Sequence, residues 1–242
     1  MAEQVELERN GTGGGAVELG TVLVTGAASG LGRAIAARVG DAGGTAVGLD
    51  VNPVEGIDSV VVDLADTGAA EEAVRAVAER RGGIDAVVTA AGTDACGPLG
   101  RIEADDWNRV IAVNLLGGAA VVRAALPYLE QAHGRVVTVG STLGLRGVPD
   151  ATAYCASKFG TVGFTRALAG ELAGRVGVTL LMPGGMETAF FDGREEQYKP
   201  GPDARLAPPE EIAEAALFAL TRPPGVEVRE MLVCPSTESS WP

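Results

Sequence analysis

From Thr21 onward the chain alternates short apolar runs with Ala-rich stretches, and this alternation constrains the fold more than any other feature. Segments 21–25, 45–50, 59–63, 85–90, 135–140, 178–182 and 230–234 read as strands. Most are continuously apolar, which marks strands covered on both faces. Between them, 31–42, 69–80, 105–129, 153–173 and 209–220 read as helices. A βαβα order of this kind predicts an α/β fold: a single doubly wound Rossmann-type domain with a seven-stranded, mainly parallel sheet and helices on both faces. Two stretches break the regularity. Only residues 51–62 lie between Asp50 and Asp63, too few for a full crossover helix. Residues 184–207 are long, irregular and rich in Gly, Pro and charge, as in a disordered loop or a functional lid.

Nothing in the composition marks a second domain. Residues 1–19, with their run from Gly11 to Gly15, read as a flexible tail before a domain covering 20–242. Hydrophobic residues make up 46% of the chain and aromatics only 4%, so the core is to be built mainly of Ala, Val and Leu. The net charge of −13 argues against a broad nucleic-acid footprint, which needs a basic patch. Cys96, Cys155 and Cys234 form no metal-type cluster and read as small buried thiols of a reducing compartment. No apolar run reaches membrane-spanning length and the N-terminus lacks a signal-peptide pattern. The expectation is a soluble cytoplasmic protein with no metal, membrane or nucleic-acid partner.

The segment from Thr25 to Gly32, reading TGAASGLG, follows the first strand and opens the first helix. Glycine at such a place lets backbone approach a pyrophosphate closely, and the helix N-terminus adds free N–H groups and positive potential. Gly26, Ser29, Gly30, Leu31 and Gly32 are therefore candidate phosphate-cradle residues, with Gly32 expected to let the helix lie close on the sheet. The spacing is G-x-x-x-G-x-G and not G-x-G-x-x-G. Asp50 ends the second strand about twenty residues later, where a carboxylate can accept bonds from adenosine ribose hydroxyls. Asp63 and Leu64 end the third strand as candidate adenine contacts. Ala91 and Gly92 end the fourth, small enough to let a cofactor pass over the strand tip.

Tyr154 and Lys158 stand at i and i+4, on one face of a helix. The chain has two lysines, Lys158 and Lys199, and three tyrosines, so the pairing is sparse by composition. A free phenol titrates near 10, and a nearby cation lowers that value. Tyr154 is thereby suited to pass a proton to a carbonyl oxygen or take one from an alcohol. Ser141, at the end of the fifth strand, is placed to hold the same oxygen. His133, the only histidine, reads as a surface residue at a helix-to-strand turn. Phe190, Phe191 and Tyr198 either close over a substrate or anchor their own loop.

Together, the Thr25–Gly32 segment, Asn114, Ser141, Tyr154 with Lys158, and Pro183-Gly184 followed by Thr188 resemble the classical short-chain dehydrogenases/reductases. The resemblance covers about residues 20–235. It implies a catalytic tetrad of Asn114, Ser141, Tyr154 and Lys158, with Lys158 also bonding the nicotinamide ribose and Asn114 holding a water in a proton relay. It implies cofactor contacts from Pro183, Gly184 and Thr188, and a homo-oligomer, tetramer or dimer, joined through the helices around Asn114 and Tyr154. One departure is Thr89, where the family pattern has Asn; a modest loss of local stabilisation is the expected consequence. Asp50, with Val51 and Asn52 after it, and Ser29 in the glycine turn offer no cation for a 2′-phosphate; Arg33 lies a turn into the helix. The cofactor expected is therefore NAD, and the substrate a small alcohol or ketone. Two alternatives stand beside this reading: a 3-oxoacyl-carrier-protein-type ketoreductase, and a non-catalytic dinucleotide sensor on the same fold.

Overall fold

The computed structural model describes residues 18–241. Seven strands are present: β1 (Thr21–Thr25), β2 (Thr45–Asp50), β3 (Asp58–Val61), β4 (Ala86–Thr89), β5 (Arg135–Val139), β6 (Gly177–Pro183) and β7 (Glu230–Val233). They form one sheet in the order β3-β2-β1-β4-β5-β6-β7, every neighbouring pair parallel. The helices are α1 (Gly30–Asp41), α2 (Thr67–Arg81), α3 (Ala104–Ile111), α4 (Gly118–Ala132), α5 (Thr152–Glu171) and α6 (Pro209–Leu220). β2 and β3 are joined by a loop, as the short connection requires.

The unbroken apolar runs are explained by two separate cores. Leu23, Val47, Leu49, Val87, Val136 and Val178 face one layer, packed with α2 and α4 residues such as Val74, Val77, Val121 and Leu129. The intervening Val22, Val24, Ala46, Val88, Val137 and Val139 face the other, packed with Ile35, Val39, Ile212 and Ala216 of α1 and α6. Successive strand residues point to opposite faces, so a sheet buried on both sides needs apolar residues at every position. Alanine lets the helices sit close: Ala70, Ala120, Ala125, Ala213 and Ala216 are all fully buried.

Three sequence expectations are corrected here. The helix read as continuous over 105–129 is interrupted by a π-helical segment, Ala112–Gly117, between α3 and α4. Wide turns of this kind re-aim side chains and concentrate at functional sites; this one carries Asn114. Second, the stretch Ala104–Ala132, 29 residues long, is apolar enough to cross a membrane by length and composition. It packs along one side of the sheet against α2 and α5, and its apolarity supplies core. Third, of the tail read over 1–19, residues 1–17 lie outside the described residues, Glu18 is exposed, and Leu19 is buried in the core. The cysteines are all free, but only Cys155 is fully buried.

The strand order reverses between β1 and β4. Crevices at such a switch point, beyond the carboxyl ends of the strands, are where open α/β sheets take ligands. The register aligns those ends: Thr25 lies opposite Thr89, and Thr89 opposite Thr138.

Candidate active site

A cavity of about 580 Å³ opens along this edge, the size range of small-molecule and cofactor sites. Of the candidate catalytic and cofactor residues named from the sequence, all but Asn114 line it; Asn114 lies buried directly behind Gly92.

One end is built from backbone. Gly26 adopts φ +70° and Gly30 φ +49°, conformations that side chains resist. A Cβ on Gly32 would stand 2.1 Å from the Gly26 carbonyl oxygen, and one on Gly26 would stand 2.8 Å from Ala91 Cα. Gly32 is thus demanded by the turn itself and not by the approach of helix to sheet. Ser29 caps α1 without using its hydroxyl on the helix. Asp50 is fixed by two N–H donors, Ala28 to Oδ2 at 3.0 Å and Asn52 to Oδ1 at 2.9 Å. No cationic side chain pairs with it among the described residues, and Arg33 is exposed and outside the cavity lining. Asp63 accepts from the Ala65 N–H at 2.9 Å and pairs with Arg109 at 3.0 Å. The Ala65 N–H and the Arg109 guanidinium hold its carboxyl below the usual range, outweighing partial burial. Leu64 beside it is buried against Gly117, where a Cβ would stand 2.5 Å from the Leu64 carbonyl oxygen. The Thr25 hydroxyl accepts from the Ala91 N–H at 2.9 Å, pinning the β4 tip to the β1 tip.

The other end is built from side chains brought together across long sequence separations. Asn114 donates through Nδ2 to the Thr93 carbonyl at 2.9 Å and to Ser157 Oγ at 3.0 Å, and its Oδ1 accepts from the Thr93 N–H at 2.8 Å. The π turn turns this amide toward the strand tip. Lys158, 4% exposed, donates to the Val139 carbonyl at 2.9 Å and lies 5.6 Å from the Tyr154 ring centroid. Burial pushes its pKa down to about 8. Burial likewise pushes the Tyr154 phenol up to about 12, with Ser141 pulling in the opposite direction. This overturns the expectation that Lys158 would lower the phenol's pKa: in the site without cofactor, desolvation dominates. Ser141 caps a short helical turn, accepting from the Leu143 N–H at 3.1 Å.

Pro183 ends β6, and Gly184 follows. Thr188 caps a second short turn and its methyl reaches the glycine turn, since a Cβ on Gly30 would lie 3.3 Å from Thr188 Cγ2. In the 184–207 segment, Phe190 packs on Tyr154 with ring centroids 5.7 Å apart. Arg194 stacks on Phe190 and Phe191 and pairs with the buried Asp94 at 2.5 Å. Tyr198 instead turns away to Asp150. His133 ends α4 in a left-handed conformation, exposed and remote from the cavity.

Several residues of the site carry no sequence signal. Ser157 holds Asn114 across 43 positions. Glu238 and Ser240 reach the cavity from the C-terminal segment, and Arg194 from the long loop. Only the tertiary fold joins them.

The family model described as short chain dehydrogenase matches residues 20–199. A 3-oxoacyl-[acyl-carrier-protein] reductase of Thermotoga maritima is 35% identical over 216 residues, covering 81% of this chain and 88% of that protein. A 2-dehydro-3-deoxy-L-rhamnonate dehydrogenase (NAD(+)) of Sphingomonas sp. is 36% identical over 182 residues, 70% of this chain and 73% of that one. Among solved structures, an alcohol dehydrogenase from Thermococcus sibiricus complexed with 5-hydroxy-NADP superposes with a TM-score of 0.79 at 26% identity, covering 88% of this chain and 94% of that one.

Proposed function

The chain belongs to the short-chain dehydrogenase family of oxidoreductases, and on that premise we propose that it interconverts a secondary alcohol and a ketone with NAD(H) as cofactor. The observation that carries the cofactor choice is Asp50, a carboxylate in the cavity wall held by two backbone N–H groups and paired with no cation among the described residues. NAD offers a 2′-hydroxyl there, which donates to a carboxylate; NADP offers a phosphate of like charge. Two like unit charges 4 Å apart repel by about 4 kcal/mol at an effective dielectric of 20, and solvent reduces this to roughly 2–3 kcal/mol. That corresponds to about 30–150-fold.

The residues present fit a dinucleotide. Gly26, Ser29, Gly30, Leu31 and Gly32 form a tight backbone cradle at the N-terminus of α1, in which a Cβ at Gly26 or Gly32 would collide with neighbouring backbone. Asp63 and Leu64 border the adenine position, and Ala91 and Gly92 leave the strand tips open. Pro183, Gly184 and Thr188 line the nicotinamide end. When bound, the cofactor gives or takes the hydride. The chain supplies the rest. Ser141 orients the substrate oxygen. Tyr154, whose phenol stays protonated far above neutral pH, donates its proton to the carbonyl oxygen in reduction and takes it back in oxidation. Lys158, largely cationic at neutral pH, bonds a ribose hydroxyl and draws the phenol toward ionisation once that end is filled. Asn114, fixed on Thr93 and Ser157, keeps a free lone pair on Oδ1 for a relaying water.

The test is steady-state kinetics over a panel of alcohols and ketones with both cofactors. The expected result is a kcat/KM preference for NAD of at least about 30-fold, shrinking in Asp50→Ala. Equal use of both cofactors by the unmodified protein sinks the NAD assignment. The Thermotoga maritima relative favours a second reading, reduction of a carrier-bound 3-oxoacyl group. The net charge of −13 opposes docking of an acidic carrier, and a 3-oxoacyl thioester in the panel separates the two. Exposed Leu116 and Phe159, on the helices around Asn114 and Tyr154, support a homo-oligomer through that face.

A further inference from the structure

The chain's C-terminal segment closes over the catalytic end of the cavity. Beyond β7, Glu238 Oε2 accepts from the Gly185 N–H at 2.8 Å, just past the end of β6. Its Oε1 accepts from the Ser240 N–H at 3.0 Å and the Ser240 hydroxyl at 2.7 Å. Ser240 Oγ in turn bonds Thr142 Oγ1 at 2.7 Å, beside Ser141, and Arg146 reaches the Ser239 carbonyl at 3.4 Å. The strap therefore ties the turn after β5 to the turn after β6. Glu238 and Ser240 both line the cavity.

The charge on this strap is its unusual feature. Every partner of the Glu238 carboxylate is a neutral N–H or O–H, and no cation lies within ion-pair distance among the described residues. Partial burial works against its ionisation, yet the Gly185 and Ser240 donors hold its carboxyl below the usual range. Both carboxyl oxygens accept from an N–H, so the ionised form is the one that fastens the strap. A half-buried, ionised, unpaired carboxylate also imposes a negative potential on the cavity beside it. The opposing charges at this end are the Lys158 ammonium, which bonds the Val139 carbonyl, and the Arg194 guanidinium, which is paired with Asp94.

We propose that Glu238 sets the redox bias of the bound cofactor: its carboxylate, fixed beside Gly184 and Gly185, favours the cationic oxidised nicotinamide over the neutral reduced one and so makes the bound reduced cofactor the stronger hydride donor. This rests on the reading that Pro183 and Gly184 line the nicotinamide end. Glu238 acts through potential and takes no part in proton transfer. The two cofactor forms differ by one positive charge on the ring, so removing the carboxylate acts on one form and spares the other. A purely mechanical strap acts on both alike.

The experiment measures dissociation constants of NAD⁺ and NADH by titration, without substrate, for the unmodified protein, Glu238→Gln and Ser240→Ala. Glu238→Gln removes the charge and leaves one strap N–H without its acceptor; Ser240→Ala loosens the strap and keeps the charge, so it reports the effect of loosening alone. In Glu238→Gln the expected result is NAD⁺ affinity lowered about threefold to tenfold with NADH affinity changed less than about twofold. In Ser240→Ala the two constants are expected to move together. Equal weakening of both forms by Glu238→Gln overturns the proposal in favour of a mechanical strap. Equal tightening overturns it by showing that the carboxylate obstructs the cavity. If the unmodified protein binds neither form, the cofactor reading itself falls, a result distinct from either.

Discussion

The two ends of the cavity are made by opposite strategies. At the glycine turn the chain removes side chains: a Cβ on Gly26 or Gly32 would collide with neighbouring backbone, and the polar contacts come from backbone N–H groups. At the catalytic end it buries polar side chains, with Asn114, Ser141 and Lys158 all less than a tenth exposed. The first strategy is local and costs little beyond glycine's entropy. The second assembles residues from three separate elements and holds an ammonium where desolvation lowers its pKa to about 8. The glycine end is a matter of shape, and the catalytic end a matter of charge held against solvation.

If that division is right, the two ends fail in different ways. The largest expected effect is at the catalytic end. Tyr154→Phe removes one proton donor and leaves the packing against Phe190 intact. Turnover is expected to drop by about 10²–10⁴-fold, the usual range for a general acid, with cofactor affinity unchanged in titration. A well-folded variant with near-full kcat sinks the assignment of Tyr154.

Next in size is a failure of shape. Gly32→Ala places a Cβ 2.1 Å from the Gly26 carbonyl oxygen, backbone that moves only if the turn opens. Overpacking of this kind costs about 1–3 kcal/mol of stability. Cofactor affinity is expected to weaken at least about tenfold, while kcat at saturating cofactor stays near the original. A variant that keeps its cofactor affinity and loses kcat instead reverses the proposed division of labour.

The same contrast explains what the sequence disclosed. The glycine turn, Asp50 and the seven strands are legible because each follows from local rules: glycine where backbone must approach, β-branched runs where both faces are covered. Tyr154 and Lys158 are legible because helical spacing alone puts them on one face. Asn114 is legible only through its family resemblance, because the π turn that aims it is a tertiary effect. Residues 105–129 read as one unbroken helix, since nothing local in the Ala112–Gly117 segment announces the wider turn. Ser157, Arg194 and Glu238 are set by contacts 43, 100 and 53 residues away, beyond any window of local pattern. The raised pKa of Tyr154 is hidden for a related reason: the i, i+4 cation is visible in sequence, and the burial that outweighs it is not.

The smallest expected effect tests the cost of the catalytic end directly. Lys158 has its pKa lowered by burial from 10.5 to about 8, so the folded protein releases this proton more readily than the unfolded chain does. Where the unfolded state binds more protons, stability rises with pH. The penalty for burying the ammonium is therefore full below about pH 8, fades between about 8 and 10.5, and vanishes above. At about 1.4 kcal/mol per pKa unit it amounts to roughly 3 kcal/mol at neutral pH. Lys158→Met removes that penalty and also the hydrogen bond to the Val139 carbonyl, worth about 1 kcal/mol. The variant is expected to be more stable than the parent by about 1–2 kcal/mol at pH 7, while losing turnover. Its advantage shrinks toward pH 10, measured by denaturant unfolding across that range. Tyr154 shifts in the opposite sense, its raised pKa eroding stability only between about 10 and 12, and because both proteins carry it the contribution cancels. A Met variant no more stable than the parent at pH 7, or one whose advantage grows with pH, shows that the ammonium is better solvated than its burial implies. The catalytic end would then be as inexpensive to fold as the glycine turn.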